Sequence, residues 1–344
     1  VSEHLKLVVH HGERARVARR LAGDALLDLV GGAGVAAAVA LRGVEGFGAH
    51  HRLRTDRLLT LSDDLPLVTV AVGAAGVVAP LATAAAEMVP SGLLTLERVA
   101  LPGLQLDDDM PAASSGTSKL TVHCPRSRLR AVAAALHDER IDGVTALVGV
   151  DGVLGGRRRR GRATGGGGNV PGLVIAVGPA RTIARSLPRV RAAAGPHVAC
   201  LERVNVVRRA GAAVGPLPTV PERDPGGLGL WQRMIVALGA EGGAAQRLVR
   251  DLRAAGGAGA TALRGAWAAL GGGPVHAERL LAVRRRAPFH VTIVETPAGL
   301  ARLWPIVEEA TAREGLVTCE LLPAVRTHPA GGRRAGGLRL AAPR

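Results

Sequence analysis

The chain has 344 residues, a formal charge of +16, and 47% apolar residues that include two Phe, three Trp and no Tyr. Its length suits two or three ordinary domains, each with a core filled by Ala, Val and Leu. The charge points to an anionic partner (nucleic acid, a membrane surface or a phosphorylated small molecule), unless it only follows an Arg-, Ala- and Gly-rich composition; the lack of Tyr excludes tyrosine modification.

Residues 4 to 10 read as a strand, entered from the N-terminus with no signal-peptide pattern. From Glu13 to Val30, the apolar positions Val17, Leu21, Ala22, Leu26, Leu29 and Val30 fall at helical spacing, and Gly31, Gly32 and Gly34 end that helix. A second strand to Leu41, a polar loop from Arg42 to about Asp56 and a third strand around residues 67 to 72 follow. A second helix after Gly73 to Gly76 and a fourth strand from Leu93 to Leu101 complete the order β-α-β-β-α-β, that of the ferredoxin-like motif. Another pass begins at Lys119, with Leu129, Val132, Ala133 and Leu136 on its first helix, and a third near Trp231, with Leu248, Val249 and Leu252. Pro188 and Pro305 imply a kink or a late start in the second helices of these two passes.

Residues 65 to 86 carry no charge and so mimic a membrane span. The corresponding stretches of the later passes hold Arg181, Arg185, Glu295 and Arg302, so a soluble protein is expected. Cys124, Cys200 and Cys319 form no CxxC and lie in apolar runs, which suits buried thiols in a reducing compartment.

The passes are copies of one another. Ala40-Leu-Arg-Gly-Val-Glu-Gly-Phe-Gly48 recurs as Ala146-Leu-Val-Gly-Val-Asp-Gly152 and as Ala262-Leu-Arg-Gly-Ala-Trp267. Each copy is followed by an arginine nine residues before a proline (Arg57 and Pro66, Arg162 and Pro171, Arg279 and Pro288), then by a glutamate in an apolar run: Glu97, Glu202 or Glu320. Three units are expected, at 4–103, 118–208 and 231–326. Segments 104–117 and 209–230 are linkers and 327–344 a flexible tail.

The first copy, together with Thr55-Asp-Arg-Leu-Leu-Thr-Leu-Ser-Asp-Asp-Leu-Pro66, closely resembles the PII-like family described as domain of unknown function 190. The third resembles it through Ala262-Leu-Arg-Gly265, Arg279-Leu-Leu281 and the run from Phe289 to Thr296; the second is recognisable mainly by register. The resemblance implies an α+β fold of three tandem ferredoxin-like PII-like units forming a pseudo-trimer in one monomeric chain, with small effectors in the clefts between units. It further implies a regulator that signals to a partner protein, a membrane transporter or channel among the candidates; with no nucleophile and base at motif spacing, no Walker loop and no G-x-G-x-x-G between a strand and a helix, a non-enzymatic, cytoplasmic protein is expected.

The loop of the first copy is where such an effector would be read. Gly43, Gly46 and Gly48 let the backbone approach an anion, Arg42, Arg52 and Arg57 add charge, and Phe47 covers the site beside Glu45. Arg57, Arg162 and Arg279 keep register, as do Arg42 and Arg264 beside Gly43 and Gly265; surface ion pairs such as Arg57 with Glu45 are the structural alternative. The ligand class is a small anion, with a nucleotide as one candidate. His10, His11, His50 and His51 lack metal-ligand spacing and read as exposed loop residues. The run Arg157 to Arg160, with no aromatic interleaved, reads as disordered, so nucleic acid is not expected. A basic nucleic-acid-binding protein and a scaffold with decayed ligand sites remain the alternatives.

Overall fold

The computed structural model describes residues 3–48, 51–55, 64–102, 116–161, 169–239, 243–271, 275–277, 287–327 and 334–340. The first pass consists of β1 (His4–Gly12), α1 (Ala22–Gly32), β2 (Ala37–Phe47), β3 (Pro66–Ala74), α2 (Ala75–Met88) and β4 (Gly92–Val99). The second runs β5 (Thr117–Pro125), α3 (Leu129–Asp138), β6 (Gly143–Leu147), the hairpin β7 (Asp151–Leu154) and β8 (Arg157–Arg160), β9 (Pro171–Pro179), α4 (Ala180–Ala194) and β10 (Val198–Arg209). The third runs β11 (Trp231–Leu238), α5 (Ala244–Ala254), β12 (Ala260–Leu270), β13 (Phe289–Glu295), α6 (Pro297–Ala310) and β14 (Leu316–Leu322), with β15 (Ala324–Thr327) after it.

These strands do not divide into three sheets. They join, with four shorter ones, into one 19-stranded sheet. Within it the antiparallel order β12-β13-β11-β14-β10-β5-β9-β6 returns to β12, closing an eight-stranded barrel. The remaining run β2-β3-β1-β4 is sewn on at both ends, β2 to β12 and β7, and β4 to β15. The expectation of three tandem ferredoxin-like units forming a pseudo-trimer is therefore overturned. A β-α-β-β-α-β stretch leaves two strand edges with unpaired backbone groups, and here strands of other passes take up those edges, merging the passes into one closed sheet.

Period-2 alternation decides which face each residue serves. On β1, Leu5, Leu7 and Val9 pack outward under α1 and α2 with Leu26, Val30, Val78 and Leu81. Leu120, Val122 and Cys124 of β5 do the same under α3 and α4, and Met234, Val236 and Leu238 of β11 under α5 and α6. The intervening residues, Lys6, Val8 and His10 on β1, face the interior of the sheet with Lys119 and Thr121 of β5 and Arg233 and Ile235 of β11. Both faces are thus buried, which is why these strands read as nearly continuous apolar runs.

Local chemistry sets the element ends. Thr296 caps α6 by accepting the Gly299 N–H at 3.2 Å, and Pro297 occupies the first turn, where no N–H is needed. Pro188 and Pro305 lie inside α4 and α6, which start eight residues earlier, so neither marks a late helix start. The uncharged stretch 65 to 86 divides between β3 and α2, and no helix among the described residues is long and apolar enough to cross a membrane. All three cysteines are buried free thiols, pushed up to about 12 by burial.

The arginine run corrects another expectation. Arg157 to Arg160 forms β8, paired with β7. Arg158 meets Asp151 at 2.6 Å and Asp24 at 2.8 Å, and also pairs with Asp28 of α1. Segment 209–230 is held as well: Gln232 Nε2 donates to the Pro218 carbonyl at 3.0 Å, and the Ala298 N–H donates to Glu222 at 2.8 Å.

Candidate functional site

The recurring Ala-Leu-x-Gly segment lies in strand in the first and third copies, and in the second the strand β6 ends at Leu147, leaving Val148 and Gly149 between β6 and β7. β2 continues to Phe47, so the polar loop expected from Arg42 starts later. Each long strand of this kind changes partner along its length: β2 pairs through Ala37 to Ala40 with β7 and through Gly43 to Phe47 with β12. β12 pairs through Ala260 to Leu263 with β2 and through Gly265 to Leu270 with β6. The crossover leaves no room for a side chain. A Cβ on Gly149 would lie 2.1 Å from the Pro171 carbonyl oxygen, and one on Gly46 2.7 Å from that of Ala260. The Gly265 N–H donates to the Pro288 carbonyl at 2.7 Å, so the repeated glycine and the repeated proline belong to one joint.

The motif leucines have a separate task. Leu41, Leu147 and Leu263 converge with Val8, Val68, Val70, Leu173 and Ile175 around an inner chamber with about 510 Å³ of empty volume including its open side. Its charged side is a closed ring of six buried groups. Lys6 pairs with Glu202 and, at 3.3 Å, with Glu97; Lys119 pairs with Glu320 and, at 3.2 Å, with Glu202; Arg233 pairs with Glu320 and donates to Glu97 at 2.6 Å. Strand register places Lys6 opposite Glu97, Lys119 opposite Glu202 and Arg233 opposite Glu320. Three cations alternate with three anions, so the ring is neutral.

Burial opposes charge on every member, and the neighbours decide the outcome. Burial works against the Lys6 ammonium, but Glu202 and Glu97 outweigh it and raise its pKa. Glu97 and Glu320 are likewise held low, by Arg233 foremost, against burial. In Glu202 burial wins, and its carboxyl is raised.

A surface cleft lies where the first and third passes meet, with about 750 Å³ of empty volume including its open mouth. The ends of β1 and β2 supply His10, Gly12, Phe47 and Gly48; the starts of β4 and β12 supply Gly92, Leu93, Gly259 and Thr261. Arg52, Arg54 and Arg326 provide cationic groups. Arg54 is occupied by Asp64 at 3.0 Å, whereas Arg52 is exposed at the rim and Arg326 lies over the Trp231 ring, 5.2 Å from its centroid. The segment carrying Arg52 is held by Arg253, which donates to the His51 carbonyl at 2.9 Å, and by pairing of Thr55 with Glu45.

The residues singled out in the sequence scatter across these features. Phe47 and Gly48 line the cleft, Phe47 stacking on His51 with centroids 6.0 Å apart. Gly43, Gly46 and Gly265 form the strand joint. Glu45 is buried on β2, 3.3 Å from Arg250 of α5. Arg42 points outward and pairs with Glu13 at 2.9 Å; Arg264 is half-buried on β12. Arg57, Arg162 and Arg279, and with them His50, lie outside the described residues.

His10 and His11 are strand residues with buried ring nitrogens and not exposed loop residues. Burial, with Arg233 adding to it, pushes His10 down to about 3, and burial lowers His11 too. Among the described residues no group of three or more His, Cys, Asp or Glu is arranged to hold a metal ion. Arg326 and Trp231 were missed as site residues. Trp231, one of three tryptophans, opens the third pass and is the signal that marks them.

No curated protein matches the chain. Among solved structures it is similar to an aspartate kinase from Synechocystis, at 10% identity over 96% of this chain and 47% of that one, with a TM-score of 0.25. It thus spans about half the length of that kinase. An anthrone oxidase-like protein is similar at 12% identity over 59% of this chain and 93% of its own, with a TM-score of 0.16. The family model for domain of unknown function 190 (DUF190), described as an uncharacterized ACR, matches residues 4–101 and 241–324. Those two regions include the first and third copies of the Ala-Leu-x-Gly segment and cover more than half of the chain, which therefore belongs to the DUF190 family.

Proposed function

We propose that the chain is a non-enzymatic regulatory protein of the cytoplasm that binds a phosphate-bearing small molecule, a nucleotide among the candidates, in the cleft between its first and third passes. The observation that carries this reading is the pairing of two cations, Arg52 and Arg326, with glycines at 12, 48, 92 and 259 in one concave wall. Arginine presents a planar fork suited to phosphate, and glycine leaves main-chain groups within reach of an anion. Phe47 and Leu93 add apolar surface against which a base or similar flat group packs. Occupancy would be passed to a partner protein, a membrane transporter or channel among the candidates, through Gly48, Arg52 and Arg54, which line the cleft.

Nucleic acid is the weaker reading, since Arg158 of the arginine run is already matched by Asp24, Asp28 and Asp151. Calorimetric titration of the whole chain with ATP and with inorganic phosphate tests the proposal. Saturable binding is expected, weakened tenfold or more by Arg52→Ala and by Arg326→Ala and unchanged by Arg42→Ala. No saturable binding of either anion, or binding indifferent to both cleft arginines, would overturn it.

A further inference from the structure

The cleft and the inner chamber are neighbours. His10 and Thr292 line both, so the two spaces meet at a neck between β1 and β13. The chemistry changes across that neck. Outside stand Arg52 and Arg326; inside, the walls are Val8, Val70, Leu147, Leu173, Ile175 and Leu263. The chamber's ions, Lys6, Lys119 and Arg233, are each committed to glutamates of the neutral ring, so none offers an unmatched charge to an incoming group.

The neck itself is polar and incompletely satisfied. His10 Nδ1 lies 3.4 Å from the Thr261 hydroxyl, while His10 Nε2 is buried with no hydrogen-bond partner. Leaving a buried polar atom unpaired is costly, so a ligand atom able to hydrogen-bond at this point gains from being there. Because burial holds the His10 imidazole neutral, an aliphatic group passing it meets no ion.

We propose that cleft and chamber form one bipartite site for an anion-headed ligand with a short aliphatic arm: the head on Arg52 and Arg326, the bridging oxygen at His10, the arm in the chamber. This rests on the anion reading of the cleft and adds to it the class of ligand. A monoalkyl phosphate has this order of groups, and its P–O–C oxygen would accept from His10 Nε2.

The test is calorimetry on the full chain with inorganic phosphate and with methyl, butyl, hexyl and octyl phosphate. Burial of a methylene strengthens binding about threefold to fourfold, so affinity should climb along the series and level off once the chamber is filled. Ile175→Phe, which fills the chamber without touching the cleft, should flatten the series while inorganic phosphate binds as before. Thr121→Ile, a smaller change on another chamber strand, should shorten the arm at which affinity levels off. A flat series in the unaltered chain, with phosphate still bound, overturns the bipartite site and spares the cleft. A rise that persists in both variants overturns it too, because the arm then lies elsewhere. No binding of any phosphate overturns both readings.

Discussion

Removing one cation from the buried ring should cost more than removing a cation together with an anion. Lys119 stands between Glu202 and Glu320, and its side chain is 2% exposed against 5% and 7% for theirs, so water does not replace it. Lys119→Met leaves Glu202 with Lys6 as its near partner and Glu320 with Arg233, and gives the ring a net charge of −1. Breaking a buried ion pair from one side costs about 3–5 kcal/mol, a large share of the roughly 5–15 kcal/mol that stabilises a folded protein. In Lys119→Met/Glu202→Met the surviving order Lys6, Glu97, Arg233, Glu320 is again neutral, and each ion keeps a partner. That double variant should recover about 2 kcal/mol or more of the loss. Urea denaturation, which unlike guanidinium adds no salt to screen the ring, reads all three proteins by their midpoints. A single variant within 1 kcal/mol of the parent, or a double variant less stable than the single, would refute the argument.

Three more outcomes are expected. Gly149→Ala should destabilise by about 1–3 kcal/mol through overpacking against Pro171, whereas Gly48→Ala, with nothing within 4 Å of the new Cβ, should leave the urea midpoint unchanged. Stability should fall steeply on acidification: burial pushes His123 and His290 down to about 3 from 6.5, so below pH 6.5 the unfolded chain takes up protons that the native chain refuses. Each imidazole then removes about 1.4 kcal/mol per pH unit down to pH 3. Glu97 and Glu320, held low, act in the same sense and Glu202, held high, opposes them; circular dichroism against pH should show unfolding before pH 4, and a native signal at pH 3.5 would contradict this. Binding to duplex DNA should be weak and lost by about 200 mM salt; Asp24→Asn/Asp28→Asn, by removing two of the three carboxylates around Arg158 and leaving Asp151, should strengthen it at low salt, and an unchanged filter-binding curve would contradict the pairing.

The three glutamates and the glycine of each repeated segment were legible because each answers a need that recurs in every pass: Glu97, Glu202 and Glu320 close the ring, and Gly43, Gly149 and Gly265 let strands cross. Their tasks were not legible. A glycine that admits a ligand and a glycine that admits a neighbouring strand look alike until the strand is located, so Gly43 and Gly46 were read as loop. The lysines carried a signal that composition alone does not interpret: in an arginine-rich chain the only two, Lys6 and Lys119, stand at matching strand positions, both buried. Arg326 had no signal of its own, because a cation-ring contact has no sequence spacing, and only the tryptophan it lies over, Trp231 at the start of the third pass, stood out. The closed sheet was equally out of reach, since edge pairing is decided between passes and leaves no local pattern.

Ring, joint and cleft share strands, and that ties the candidate site to the closure of the sheet. β1 carries Lys6 into the ring and His10 into the neck. β2 carries Gly43 through the joint and Phe47 into the cleft wall, and β12 brings Ala260 and Thr261 to the same wall while pairing with β2. A ligand in the cleft therefore touches both sides of the seam between the first and third passes. Binding that favours the closed seam stabilises it in proportion to ligand affinity and concentration. Conversely, any movement of the seam changes the spacing of Arg52 and Arg326, which stand on opposite passes. A site built this way would respond to the geometry of the seam between the first and third passes, which suits the proposed regulatory reading and which a site within a single pass would not provide.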